Sequence, residues 1–130
     1  MTIEILGYAC SVPSAGSPEQ LFELLRDGVC AVTEIPESRW DKARFWHPVR
    51  GTPGKAYTFA AGVLDNVFDF DPAVFGLSAR EASYMDPQQR ILLQLVWRAL
   101  EDAGLAQADL QGERVGVYIV SSGLDHGNLY

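Results

Sequence analysis

The stretch that decides the fold is residues 85–104, which run MDPQQRILLQLVWRALEDAG. Asp86, with a proline directly after it and a glutamine three residues on, is typical of a capped helix N-terminus. The apolar residues that follow recur at helical spacing: Ile91, Leu92, Leu95, Val96, Ala99, Leu100 and Ala103. Leu93 and Trp97 widen this stripe, so we expect the helix to be buried on most sides until Gly104 ends it.

Two apolar segments outside this helix are predicted to be strands. Residues 114–120 (RVGVYIV) are nearly continuous in apolar character, as strands of parallel sheets tend to be. Residues 3–10 (IEILGYAC) predict a short, mostly buried strand, and residues 17–20 (SPEQ) predict a capped helix that stops at Gly28. A helix buried between strands implies a layered α/β fold.

Between residues 32 and 64 the periodicity fails. This segment has three prolines and three glycines, interleaved with aromatic residues: Trp40, Phe45, Trp46, Tyr57 and Phe59. A stretch of this length without periodic elements is usually functional or packed on another surface, and its aromatic side chains argue against disorder. We predict an ordered, irregular excursion with a short strand at 56–59. Further capped helix starts are predicted at Asp71 and Ser78.

Composition excludes several classes of protein. The 130 residues fit one domain and include 10 Lys and Arg against 17 Asp and Glu, so the net charge is −7. This balance argues against binding to nucleic acid or to an anionic membrane. Two cysteines are too few for a disulfide-stabilised secreted domain. With neither a secretory signal nor a membrane-spanning stretch in the sequence, we expect a cytoplasmic protein.

Candidate nucleophiles and metal ligands are few. Cys10 and Cys30 could each act as a nucleophile, but a free cysteine is more often a small, buried, inert residue, and we favour that role for both. The spacing of these cysteines from His47 and His126 matches no zinc motif, so no metal site is expected.

Two other patterns resemble functional motifs, a phosphate-binding loop and a hydrolase triad, but each lacks part of the motif. Residues 51–56 (GTPGKA) resemble a phosphate-binding loop but lack its first glycine and its hydroxyl residue, which favours a turn. His126 with Ser121 or Ser122 leaves a hydrolase open as a third alternative. Because no nucleophile elbow precedes it, a solvated loop histidine is the preferred interpretation.

A basic stretch stands out in this acidic chain. Over seventeen residues it carries a charge of +4, with Asp41 opposed by Arg39, Lys42, Arg44, Arg50 and Lys55. A solvated loop is the simpler interpretation. The alternative is a surface for an acidic partner or for a phosphate-bearing substrate.

The ordered motifs of the chain closely resemble those of β-ketoacyl synthase (ketosynthase) domains. Residues 85–104 are similar to the MDPQQR…WEALEDAG run of that family. Other family motifs are matched in the expected order by ILGYAC (5–10), LFELLRDG (21–28), IPESRWD (35–41), GVLDNVFDF (62–70), FGLSAREA (75–82) and GVYIV (116–120). The resemblance covers about residues 3–120. The run SAREASYMDPQQR (78–90) is similar to polyketide synthases more than to fatty-acid enzymes.

The resemblance implies a thiolase-like α-β-α-β-α fold, of which residues 1–130 would be the N-terminal portion. It also implies decarboxylative Claisen condensation of acyl thioesters, carried on the phosphopantetheinyl arm of a carrier protein and needing no other cofactor. The family's catalytic cysteine and two histidines lie in motifs that this sequence lacks. No catalytic residue is therefore expected in this chain, which should be inactive alone.

The resemblance further implies three partners: the remainder of the ketosynthase domain, an acyl carrier protein and a second copy in a homodimer. Contact with the carrier protein is predicted at Arg80, in the segment before the Met85-Asp86 pair, and in the basic stretch at Arg39, Lys42 and Arg44. The alternative function is a non-catalytic ketosynthase-like portion that dimerises, acts as a scaffold or binds a carrier protein.

Overall fold

The computed structural model describes residues 2–121, which fall into two compact units. One unit is formed by residues up to Cys10 together with those from Asn66 onward, and the other is Ser11–Asp65. The helices of the described part are α1 (Pro18–Arg26), α2 (Lys42–Phe45), α3 (Ala79–Tyr84) and α4 (Pro87–Asp102), with 3₁₀ turns at Ala73–Phe75 and Gln107–Leu110. Its two strands, β1 (Thr33–Glu34) and β2 (Ala60–Ala61), pair antiparallel.

Capping starts α3 and α4 where the sequence predicts. The Asp86 carboxylate accepts a hydrogen bond from the Gln88 backbone N–H at 2.8 Å, and the Gln89 side chain accepts one from the Asp86 N–H at 3.2 Å. On α3, the Ser78 N–H donates to the Glu81 carboxylate at 2.8 Å, and the Ser78 hydroxyl accepts from the Glu81 N–H at 3.2 Å. These boxes satisfy N–H groups that a helix start leaves without partners.

The other predicted helix starts are also present. The Ser17 hydroxyl accepts from the Gln20 N–H at 3.3 Å and caps α1. The Gln20 side chain accepts from the Gly16 N–H, one residue before the position that a reciprocal capping box would use. At the third start, the Asp71 carboxylate accepts from the Ala73 N–H at 3.0 Å and opens a short 3₁₀ turn.

The apolar segments predicted to be strands do not form strands in the described chain. Residues 3–10 and 114–120 have no β-ladder, and most of their apolar side chains are exposed: Ile3 is 85% accessible and Val120 is 101% accessible. The strand prediction was wrong here, because a strand needs a neighbour for its backbone hydrogen bonds and the described residues supply none at these positions.

Helix α4 forms as predicted but is not buried on most sides. Val96 is 47% accessible and Trp97 is 40% accessible. Among the described residues, the apolar residues that are buried are Ala15 and Ala82. The prediction of burial was wrong for this chain, because within residues 2–121 no sheet covers the helix.

Aromatic residues before α3 pack against α4. The rings of Phe70 and Phe75 stack with their centroids 5.1 Å apart, and Phe75 meets Trp97 edge-on at 6.0 Å. The Gln94 side chain donates to the Asp69 carbonyl at 2.8 Å. These contacts cover one edge of the helix.

The N-terminal segment is also fixed against α4, although it forms no strand. A Cβ atom placed on Gly7 would lie 2.3 Å from the Ala99 carbonyl oxygen and 2.6 Å from the Ala103 nitrogen. The next residue, Tyr8, donates its backbone N–H to the Asp102 carboxylate at 3.0 Å. The chain can approach the helix this closely only because residue 7 has no side chain.

Candidate functional site

The excursion between residues 32 and 64 is held by backbone hydrogen bonds. The Ile35 N–H donates to the Phe59 carbonyl at 2.9 Å, beside the β1–β2 pair. A parallel bridge joins the end of α2 to the later half of the segment: the Ala56 N–H donates to the Phe45 carbonyl at 2.8 Å, and the His47 N–H donates to the Ala56 carbonyl at 2.9 Å. The strand predicted at 56–59 is thus a bridge at Ala56, with β2 beginning at residue 60.

Lys42, a predicted contact residue, is engaged inside this segment. Its Nζ lies 2.6 Å from the Glu34 carboxylate and 3.9 Å from the centroid of the Phe59 ring. Phe59 in turn meets Trp46 edge-on at 5.5 Å, and the Trp46 Nε1 donates to the Tyr57 carbonyl at 3.1 Å. A cation that is both ion-paired and seated on an aromatic face stabilises the segment that holds it.

Arg39 and Lys55 are also committed to neighbouring backbone. The Arg39 Nη2 donates to the carbonyls of Leu64 and Asp65, at 3.1 Å each. The Lys55 ammonium donates to the Arg44 carbonyl. These charged donors therefore satisfy carbonyl groups within the excursion and directly after it.

The region that resembles a phosphate loop is a turn, as predicted. The Lys55 N–H donates to the Thr52 carbonyl at 3.1 Å, and Gly54 lies between them with φ of +69°. His47 is part of the same local structure, since its Nδ1 accepts the Val49 N–H at 3.2 Å. Among residues 2–121, no three His, Cys, Asp or Glu side chains lie together as a metal site.

Arg44 and Arg50 differ from the other cations of the basic stretch. The Arg44 guanidinium lies 5.0 Å from the Phe45 ring centroid, and the Arg50 guanidinium lies 5.4 Å from the Tyr57 ring centroid. Both residues are exposed, and within the described chain neither guanidinium has a hydrogen bond or an ion pair. The positive charge of Arg50 is visible in the sequence, but its contact with the Tyr57 ring, seven residues further along the chain, is not.

The fourth predicted contact residue, Arg80, lies in the other unit. It is the second residue of α3 and is exposed. Arg39, Lys42 and Arg44 all belong to Ser11–Asp65. Within that unit, Lys42 and Arg44 both belong to α2, two residues apart.

The remaining candidate residues do not form a catalytic group within the described chain. Cys10 and Cys30 are free thiols, and Cys30 is exposed, so the expectation that it is buried was wrong. It follows the end of α1, where nothing in the described chain covers it. The Ser121 hydroxyl donates to the Gln88 side chain at 3.2 Å, and the other members of the suggested hydrolase set, Ser122 and His126, lie outside the described residues. None of the described helices has the length and apolar character to cross a membrane.

Comparison with known proteins decides the family. The family profile described as "Beta-ketoacyl synthase, N-terminal domain" matches residues 1–129. The chain belongs to the β-ketoacyl synthase family. The resemblance drawn from the motifs is thereby confirmed.

Curated relatives of this ketosynthase portion are polyketide synthases. Polyketide synthase GfsB of Streptomyces halstedii is 45% identical over 119 residues, which is 90% of this chain and 2% of that protein. A mycocerosic acid synthase-like polyketide synthase of Mycolicibacterium smegmatis is 42% identical over 127 residues, or 97% of this chain and 6% of that protein. The chain thus spans only a small part of these relatives' length.

Solved ketosynthase domains share the fold. The oxazolomycin ketosynthase domain OzmH KS7 of Streptomyces albus is 47% identical, with a TM-score of 0.78 over 82% of this chain and 19% of that one. A ketosynthase from module 6 of the bacillaene synthase of Bacillus subtilis is 37% identical, with a TM-score of 0.76 over 82% of this chain and 18% of that one. The predicted thiolase-like fold, N-terminal portion only, is therefore confirmed.

Proposed function

We propose that this chain forms the N-terminal framework of a polyketide synthase ketosynthase that performs decarboxylative Claisen condensation of acyl thioesters. The observation that carries the proposal is the match of residues 1–129 to the family's N-terminal domain. In the proposal, the nucleophilic cysteine and the two histidines come from residues outside this chain, and residues 1–130 alone are inactive.

The side chains of the described residues support a framework role. Condensation needs a thiolate that takes the acyl group and imidazoles that assist decarboxylation and stabilise the developing charge. Neither Cys10 nor Cys30 has a hydrogen-bond partner within the described chain. His47 already uses its Nδ1 to accept the Val49 N–H. No hydrogen bond joins a cysteine to a histidine among residues 2–121.

The proposal places α4 as an inner helix of the complete domain. Its half-exposed apolar residues and the unpaired segments 3–10 and 114–120 then meet sheet and helix layers formed by the remaining ketosynthase residues. Substrates arrive on the phosphopantetheinyl arm of an acyl carrier protein, without another cofactor. We also propose a homodimer and a cytoplasmic location.

The proposal is tested by grafting. Residues 1–130 replace the matching N-terminal residues of OzmH KS7, which is 47% identical, and condensation is measured with acyl and malonyl thioesters. We expect the graft to condense at a rate within about tenfold of the host, a barrier change of about 1.4 kcal/mol. The 130-residue chain alone should produce nothing. A folded graft without activity, or condensation by the chain alone, would overturn the proposal.

The exposed apolar segments favour one second candidate. Tyr118 is 96% accessible and Val117 is 75% accessible, and such surfaces ordinarily mark interaction sites. A non-catalytic ketosynthase-like portion could use them to dimerise or to act as a scaffold. An inactive graft, together with a stable dimer of the chain in sedimentation experiments, would support this candidate over the first.

A further inference from the structure

The cations of the basic stretch have two distinct roles in the structure. Arg39, Lys42 and Lys55 are bound to carbonyl or carboxylate groups of the excursion itself. Arg44 and Arg50 instead lie over aromatic rings and are exposed. Within the described chain, these two guanidiniums have no partner for their hydrogen-bonding edges.

The two aromatic rings under these arginines belong to one hydrogen-bonded structure. Phe45 carries Arg44 and accepts the Ala56 N–H through its carbonyl at 2.8 Å. Tyr57, which carries Arg50, is the next residue after Ala56. Each guanidinium is exposed and lies against a ring that restrains it, so less side-chain entropy is lost when it binds a carboxylate.

Two acidic groups of this unit, Asp41 and Glu34, are already used. The Asp41 carboxylate accepts the Arg44 backbone N–H at 2.9 Å as the cap of α2, and the Glu34 carboxylate pairs with Lys42. Residues 39–55 therefore present a positive surface in a chain whose net charge is −7. Such local asymmetry attracts and orients acidic partners.

We propose that Arg44 and Arg50 form the contact surface for an acidic protein whose carboxylates accept bidentate bonds from both guanidiniums. Resting on the proposed function, this protein is the carrier that presents the acyl thioester. Arg39 and Lys42 hold the shape of the segment and do not make the contact. A phosphate site is less well supported, because the Lys55 ammonium, which would serve it, is bound to the Arg44 carbonyl.

The test measures binding of the full 130-residue chain to a fluorescently labelled, acidic holo carrier protein by anisotropy in 50 mM NaCl. The variant Arg44→Glu/Arg50→Glu should weaken binding at least tenfold. The matched control Arg26→Glu/Arg114→Glu makes the same change in net charge outside residues 39–55 and should stay within twofold. Circular dichroism checks that all variants keep the helix content of the parent chain.

A second variant keeps the charge and removes the planar fork. Arg44→Lys/Arg50→Lys should weaken binding about threefold, because an ammonium cannot form the bidentate contact. No measurable binding by the parent chain, equal losses in the reversal and control variants, or full binding by the lysine variant would each overturn the proposal. Displacement of the carrier by inorganic phosphate, beyond the effect of NaCl at equal ionic strength, would reassign the site to small anions and overturn it as well.

The test of the contact surface and the test of the proposed function can fail independently of each other. Acyl loading of the grafted ketosynthase from a small-molecule thioester requires no carrier protein, so Arg44 and Arg50 should not affect it. A graft that loads normally while the reversal variant binds the carrier normally would refute the contact surface alone. A graft that fails to load would refute the proposed function.

Discussion

The close approach of Gly7 to α4 predicts that Gly7→Ala is strongly destabilising. The new Cβ would lie 2.3 Å from the Ala99 carbonyl oxygen, and an ordinary contact of 3.4 Å requires the segment to move by about 1 Å. The atoms in its way are largely backbone atoms of a regular helix, which cannot rotate aside. Overpacking of this kind costs about 1–3 kcal/mol. Moving the segment also stretches the bond from the Tyr8 N–H to Asp102, which contributes about 1 kcal/mol.

We therefore expect Gly7→Ala to lower the free energy of unfolding by about 2–4 kcal/mol. Urea unfolding followed by the helical circular-dichroism signal should show a midpoint lower by about 1–2 M. The matched control is Gly16→Ala, where the nearest atom to the new Cβ is 3.7 Å away. Its midpoint should be unchanged or slightly higher. Equal midpoints for Gly7→Ala and the parent chain would refute the reasoning.

Further predictions concern the excursion, α3 and one strained turn. Lys42→Met should lower the unfolding free energy by about 1 kcal/mol in urea titrations, while an unchanged midpoint would contradict the cation–π contact with Phe59. Hydrogen bonds from Ser78 lower the pKa of Glu81, so α3 should lose stability as the pH falls through that lowered pKa, and Glu81→Gln should abolish this loss in circular-dichroism titrations. Ser14 has φ of +65°, so Ser14→Gly should raise the melting temperature by a few degrees.

The helices of this chain could be predicted because their signals are local. The caps at Ser78 and Asp86 act within three residues, and the apolar stripe of α4 repeats along one face. The apolar patterns that predict strands at residues 3–10 and 114–120 are as clear in the sequence as the helix signals. These residues form no strands, because strand formation depends on partners that the described residues do not contain.

For the candidate site, the sequence predicted only an excess of positive charge over residues 39–55. The excess of basic residues is visible in the sequence. Which of these residues have a hydrogen-bond or ion-pair partner within the described chain, and which have none, is not. Arg39 is committed through the carbonyls of Leu64 and Asp65, which are more than twenty residues away in sequence. Lys42 contacts the ring of Phe59, which lies seventeen residues further along the chain, whereas Arg44 contacts the ring of its sequence neighbour Phe45. Long-range contacts of this kind can be identified only after folding.

We propose that this chain provides the framework of a ketosynthase and not its nucleophile. This proposal is tested most directly by loading the grafted ketosynthase with an acyl thioester and locating the acyl group by peptide mass spectrometry. We predict that the acyl group is found on a cysteine of the host portion and that peptides containing Cys10 and Cys30 carry none. Acylation of either cysteine at a rate matching condensation would contradict the account.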